Sequence, residues 1–315
     1  MKIGVIGVGY WGRKHVEEYK NLGINEITVV DPMEKNTEFC RTKYGATESN
    51  NIDSIIKDID IEAVSICTPN NTHFEICKKM LLAGKNVLLE KPMTLNFTDA
   101  SDLIDLSEKT KKILCVGHIF RHNNVMKKLK KLVDDGHFGD VYSAEINWTN
   151  LEPVWEDRDI LFDLAVHPLD IILYLFGRSP GKVSCNGSGF RQKNNEMAVI
   201  NYKIGNILVS INVSWIKPVK ERRMTLICSK KTVFVDCLNQ TIHIMDNDSK
   251  LIEEINVIQN NTLKDELEYF IECVKIGKKP EMDGKVGREI VRIIELSNKS
   301  LEENREIPIS YKNIS

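Results

Sequence analysis

MKIGVIGVGYWG, residues 1–12, is the stretch on which the reading of the whole chain turns. Lys2 through Ile6 form a short apolar run rich in β-branched residues, the pattern of a buried strand in a parallel sheet. Gly7, Gly9 and Gly12 follow at the spacing G-x-G-x-x-G. In that pattern the first glycine makes a tight turn. The second lets backbone N–H groups approach a pyrophosphate, and the third lets the next helix pack close to the strand. The helix then directs its positive N-terminal end at the phosphates. A second apolar run at 26–30 ends in Asp31, about 20 residues downstream, where an acid that accepts hydrogen bonds from a ribose belongs. No arginine follows Asp31 closely, so NAD is expected over NADP.

Working outward from this loop, helical patterns at 11–22, 34–44, 52–57, 74–83 and 96–110 alternate with apolar runs at 63–67, 86–89 and 113–117. Gly23, Gly45 and Gly84 stand where helices stop, and Thr72 is placed as an N-cap. The alternation predicts a doubly wound parallel sheet, a Rossmann domain over residues 1–118. Ligands gather at the carboxyl ends of the strands in such sheets. Two polar clusters fall there: Thr68-Pro69-Asn70-Asn71-Thr72-His73 and Glu90-Lys91-Pro92.

From residue 119 the rhythm changes. A connecting helix at 124–134 and a strand at 142–148 precede an apolar helix at 160–176. Strands then follow without helices between them, at 182–186, 197–204, 207–215, 222–229, 232–236 and 241–245. Two helices close the chain, at 263–276 and 287–301. This predicts a second α+β domain over 119–315, built on an open, mostly antiparallel sheet with helices on one face. Its uncovered face is expected to make a homodimer or homotetramer.

The bulk composition narrows the function classes. A chain of 315 residues exceeds what one core usually serves, which agrees with two domains. A net charge of −2 leaves no electrostatic footprint for nucleic acid. No apolar run has the length of a membrane span, and no leader precedes the first strand. The eight cysteines include no C-x-x-C pair, and several sit in apolar runs. That pattern fits reduced thiols in a cytoplasmic protein and predicts no metal site.

Several side chains are placed to do chemistry. Lys91 ends a strand beside the expected cofactor crevice, where desolvation and a cationic nicotinamide would lower its pKa. Asp163 and His167 are four apart, so on one helix face the carboxylate orients the imidazole, either for catalysis or as a structural pair. Pro168 disturbs that helix, which kinks there or starts later. His118 and Arg121 follow the last strand of the first domain and either meet an anionic substrate or tie the domains together. Trp215, Lys217, Lys220, Arg222 and Arg223 follow the strand at 207–215. A tryptophan there can stack on a ring and the cations can meet a phosphate, with Arg158 adding to them. Rim residues facing a partner subunit are the other reading.

Together these residues resemble the Gfo/Idh/MocA oxidoreductase family, over essentially the whole chain. The marks are the glycine loop with Tyr10 and Trp11, TPNNTH at 68–73, EKP at 90–92 and D-x-x-x-H at 163–167. The resemblance implies that Lys91, Asp163 and His167 form the catalytic site. It also implies that Gly7, Gly9, Tyr10, Trp11, Gly12, Asp31, Thr68, Pro69, Asn70, His73 and Glu90 bind NAD. Within the family, GHIFRHNNV at 117–125, DLAVHPLDI at 163–171 and SWIKPVKERR at 214–223 are similar to nucleotide-sugar 3-dehydrogenases of the UDP-N-acetylglucosamine type. That subset commonly has Phe-Asn-Pro where this chain has His122-Asn123-Asn124, and often an aspartate in place of Pro168. The implied activity is oxidation of a nucleotide-linked sugar at C3, with the second domain binding the sugar. An inositol or free-sugar dehydrogenase or reductase on the same scaffold is the alternative, with a non-enzymatic nucleotide-sensing regulatory protein of the same fold ranked behind it.

Overall fold

The computed structural model describes residues 1–155, 158–246, 248 and 250–309. The chain divides into two compact units, one of Met1–Ile119 with Asn261–Val291 and one of Phe120–Asn260 with the residues from Arg292 onward.

The first unit alternates strand and helix as the sequence rhythm predicts. Its order is β1 (Lys2–Ile6), α1 (Tyr10–Asn21), β2 (Ile27–Val30), α2 (Glu34–Tyr44), β3 (Thr47–Ser49), α3 (Asp53–Lys57), β4 (Ile61–Ile66), α4 (His73–Leu82), β5 (Asn86–Leu89), α5 (Phe97–Thr110) and β6 (Leu114–Val116). All six strands are parallel, in the order β3-β2-β1-β4-β5-β6. The sheet order reverses direction between β1 and β4, which makes the carboxyl ends of these strands the switch point where such sheets hold ligands. The strands are buried on both faces, so they read as continuous apolar runs. β3 is three residues with no buried position and carries no such signal.

The second unit contains α6 (Asn124–Asp134), a π-helical turn at Leu161–Ala165 and α7 (Val166–Phe176). Its strands are β7 (Val141–Leu151), β8 (Lys182–Ser188), β9 (Met197–Ile204), β10 (Ile207–Ser214), β11 (Ile216–Cys228), β12 (Thr232–Asp236), β13 (Thr241–Met245), β14 (Leu251–Ile255) and β15 (Ile307–Pro308). They form one nine-stranded sheet, β14-β13-β12-β11-β7-β10-β9-β8-β15. Among the described residues, only the β7–β10 pair is parallel. Along β7 the buried Ala144, Ile146 and Trp148 alternate with outward Glu145 and Asn147, the period of a sheet covered on one side.

Two placements that bear on the site differ from the sequence reading. The helix α8 (Thr262–Ile276) and the first part of α9 (Gly284–Glu303) belong to the first unit, not the second. Leu263, Leu267, Phe270 and Ile271 of α8 join the core of Ile3, Val5, Val16 and Tyr19. Periodicity shows that α8 has an apolar stripe but not which core receives it. The strand read at 222–229 begins at Ile216, so Lys217 and Lys220 lie within β11, not in a loop. Thr72 takes the N-cap position of α4 as read, but its side chain makes no capping bond; its hydroxyl lies 2.7 Å from Pro69 O and 2.8 Å from Thr68 Oγ1.

Candidate active site

The glycine loop behaves as its spacing requires. Gly7 has φ +82°, and a Cβ there would lie 2.8 Å from Thr68 Cγ2 and 2.9 Å from the Cys67 carbonyl. A Cβ on Gly12 would lie 1.9 Å from Gly7 O, so α1 packs against the loop only through a glycine. A Cβ on Gly9 would meet no atom within 4 Å. Gly9 therefore faces open space at the N-terminus of a helix with no side-chain cap and no acid in its first turn. That is a cradle suited to a pyrophosphate. Tyr10 and Trp11 begin the helix with exposed rings at 71% and 40%.

Asp31 ends β2 and fixes the loop. Its Oδ2 accepts from Val8 N at 2.9 Å, and its Oδ1 accepts from Met33 N at 2.9 Å and Asn36 Nδ2 at 3.1 Å. Arg13 braces the same network, donating to Val8 O at 3.1 Å and Asn36 Oδ1 at 2.7 Å. A carboxylate offers about four lone-pair sites, which leaves room for a ribose hydroxyl. Arg13 and Asn36 carry no motif and were not singled out from sequence.

At the ends of β4 and β5, two further turns are joined by His73. One ring nitrogen lies 2.8 Å from Pro92 O and the other 3.0 Å from Thr68 O. The ring ties the turn Thr68-Pro69-Asn70 to the turn bearing Lys91. Burial pulls the His73 imidazole below its ordinary pKa, against the pull of those two carbonyls. Glu90 Oε1 lies 2.9 Å from His15 Nε2, and Glu90 Oε2 accepts from Lys91 N at 3.3 Å. Burial pushes the Glu90 carboxyl up. The His15 hydrogen bond and the charges of His15, Lys91 and His73 outweigh it and hold the group below its ordinary value. Lys91 is half-buried and His118 is buried.

In the second unit, Asp163 and His167 are the two residues of 160–172 that reach solvent; the rest of that segment is buried. Asp159 opens the segment, its Oδ1 accepting from Leu161 N at 2.8 Å and Phe162 N at 3.0 Å. Asp163 lies in the π-helical turn, and Pro168 follows that turn inside the same helical run. Helical backbone thus runs through 160–176, and the disturbance ahead of Pro168 takes the form of a π-helical turn within that run. The His167 ring centroid is 5.3 Å from that of Phe120 and 5.8 Å from that of Trp148.

The cationic cluster expected around β11 is largely committed to the protein itself. Trp215 is fully buried and its Nε1–H donates to Asp163 Oδ2 at 3.1 Å. It therefore presents no face to a ligand and instead holds Asp163. Arg222 lies over the Trp148 ring at 5.0 Å and donates to Thr149 O, Glu221 O and Asn150 Oδ1. Burial pushes its guanidinium down to about 10. Lys217 pairs with Glu221 at 2.6 Å, and Arg223 with Asp236 at 3.4 Å. Arg121 pairs with the buried Asp170 at 2.7 Å, an anchor onto α7. Lys220 and Arg158 are exposed, the latter stacked 3.8 Å over the Trp155 ring.

A dinucleotide cradle on a doubly wound parallel sheet, followed by a unit bearing a braced aspartate and a histidine, defines an NAD-binding oxidoreductase. Residues 1–118 match the oxidoreductase family with an NAD-binding Rossmann fold, and residues 126–234 match the GFO/IDH/MocA C-terminal domain, so the chain belongs to the GFO/IDH/MocA family. It is 28% identical over 302 residues to the UDP-N-acetylglucosamine 3-dehydrogenase of Acidithiobacillus ferrooxidans, covering 92% of this chain and 94% of that one. The solved structure of that enzyme superposes with a TM-score of 0.86 over 96% of this chain and 98% of its own. The chain is also 27% identical over 331 residues to the myo-inositol 2-dehydrogenase of Thermotoga maritima, covering 98% of each. A levoglucosan dehydrogenase solved with NADH and levoglucosan shares the fold at 15% identity, with a TM-score of 0.87 over 98% of this chain and 99% of that one. No helix among the described residues is long and apolar enough to cross a membrane.

Proposed function

We propose that the protein oxidises a secondary alcohol of a sugar, and specifically C3 of a nucleotide-linked hexose of the UDP-N-acetylglucosamine type, to the keto sugar. The observation that carries the chemistry is the solvent-facing pair Asp163 and His167 on an otherwise buried segment. Oxidation at this carbon requires the hydroxyl proton to leave as hydride departs. A ring nitrogen of His167 takes that proton, with Asp163 orienting the imidazole and Lys91 polarising the oxygen. NAD, when bound, accepts the hydride on its nicotinamide ring.

The substrate reading is supported by the match to the Acidithiobacillus enzyme over nearly the whole of both chains. The cations supporting a diphosphate are the exposed Lys220 and Arg158, because Arg121, Arg222 and Lys217 are bound to protein groups. The second reading is oxidation of a cyclic polyol, favoured by the equally extensive match to the Thermotoga inositol enzyme. A panel of UDP-linked sugars and free polyols with NAD⁺, watched for NADH absorbance, separates them. UDP-N-acetylglucosamine or a close relative is expected to give the highest kcat/KM. Turnover of inositol with no response to any nucleotide sugar moves the assignment to the second reading.

We further propose that a second copy covers the outer face of the nine-stranded sheet, where Leu208, Ile227 and Phe234 are 52%, 38% and 39% exposed. Light scattering is expected to give at least a dimer, and a double variant Ile227→Asp, Phe234→Asp a smaller species. A monomeric wild-type protein would remove this proposal. The eight free cysteines support a reducing, cytoplasmic setting for the chain.

A further inference from the structure

We propose that His15 is a positioning residue for the turn that carries Lys91. The inference rests on the catalytic reading of Lys91 above. His15 lies on the inward stripe of α1 with Gly12, Val16 and Tyr19, and its side chain is fully buried. A buried imidazole without a polar partner would be costly. Its partner is Glu90 Oε1 at 2.9 Å, and an ionised carboxylate accepts only, so the Nε2–H donates. The second carboxylate oxygen takes the Lys91 N–H at 3.3 Å. Gly117 keeps room for this arrangement, since a Cβ there would press on the Glu90 Cδ at 3.3 Å. The chain of contacts runs from α1, whose N-terminus forms the phosphate cradle, through His15 and Glu90 to the backbone of Lys91. The groups facing Glu90 are His15, Lys91, His73 and Cys67.

The same helix therefore holds the cofactor cradle at one end and fixes the Lys91 turn one turn further along. His15 contributes nothing that touches the reacting atoms. It sets where Lys91 sits, and misplacement of about 1 Å costs on the order of 10²-fold in rate. Glutamine reproduces the reach of the imidazole Nε2, whereas phenylalanine reproduces its bulk without the donor.

The test compares His15→Phe, His15→Gln and Lys91→Met. Steady-state kinetics use the best substrate of the panel, and reductive methylation of Lys91 is followed by peptide mass spectrometry, a readout that needs no turnover. His15→Phe is expected to lower kcat about 10- to 100-fold with KM and NAD affinity little changed. It is also expected to speed Lys91 labelling as the turn loosens, with Lys112 labelling as an internal control. His15→Gln is expected to recover most of both effects. A His15→Phe protein that folds, binds NAD and matches wild type in Lys91 labelling overturns the proposal, whether or not a substrate has been found. If Lys91→Met turns over as wild type, the catalytic reading fails while the labelling result stands on its own. One divalent metal per chain in the purified protein, lost in His15→Phe, also overturns it, because His15, Cys67 and Glu90 place donor atoms within 4.8 Å of one another.

Discussion

Lys91→Met and His167→Ala are each expected to lower kcat by roughly 10²–10⁴-fold, the usual contribution of a positioned acid or base. NAD affinity, measured by calorimetry, is expected to stay near wild type in both, because the cradle is built from the loop at Gly7, Gly9 and Gly12. His167 is set among Phe120 and Trp148, whose ring centroids lie 5.3 and 5.8 Å away. Its removal therefore loosens an aromatic contact as well, and the thermal midpoint reports that separately from turnover. Trp215→Phe supplies the matching control for Asp163: it keeps the buried bulk and deletes the 3.1 Å donor. Near-wild-type turnover in both Lys91→Met and His167→Ala removes this pair from the reaction and leaves the substrate assignment without its chemistry.

The parts of the molecule legible in the sequence are those set by local spacing. Three glycines between an apolar run and a helix define the loop at Gly7–Gly12, and the alternation of apolar runs with helical periods defines the parallel sheet. Pro168 marked the disturbance beside His167, although the spacing did not show that it takes the form of a π-helical turn just ahead of it. What the sequence did not show is set by pairs far apart in the chain. His15 meets Glu90 across 75 residues, Trp215 meets Asp163 across 52 and Arg121 meets Asp170 across 49. Trp215 was read as a ring that could stack on a ligand, and Arg121 as meeting a substrate or tying the domains together, because their partners were out of sight. One signal was available for His15: it occupies the inward face of α1, and a histidine there requires a buried polar partner. The cations of β11 were read as a phosphate site for a related reason. Alternation along a strand gives the face a side chain takes, but not the carbonyl or carboxylate waiting for it.

Gly12→Ala is expected to abolish NAD binding, and Gly9→Ala separates the two physical causes by which such a loss arises. The added methyl at Gly12 would sit 1.9 Å from Gly7 O and 2.9 Å from Gly7 C, a backbone contact that no rotamer change relieves. Either α1 moves off the loop or the loop opens, and in both cases the N–H groups that cradle the phosphates lose their positions. Overpacking of this kind typically costs about 1–3 kcal/mol, so the apo protein is also expected to melt earlier. The methyl at Gly9 meets no protein atom within 4 Å, so the apo midpoint is expected to stay near wild type. It projects into the space through which the backbone approaches a pyrophosphate, and NAD is expected to bind far more weakly. In wild type, NAD at 100 times its Kd stabilises the folded state by about 2.7 kcal/mol. Thermal unfolding with and without NAD reads that stabilisation directly, and it is expected to vanish in Gly12→Ala and to shrink in Gly9→Ala. A Gly9→Ala protein that NAD stabilises as fully as wild type would show that the open space above Gly9 is not where the phosphates lie.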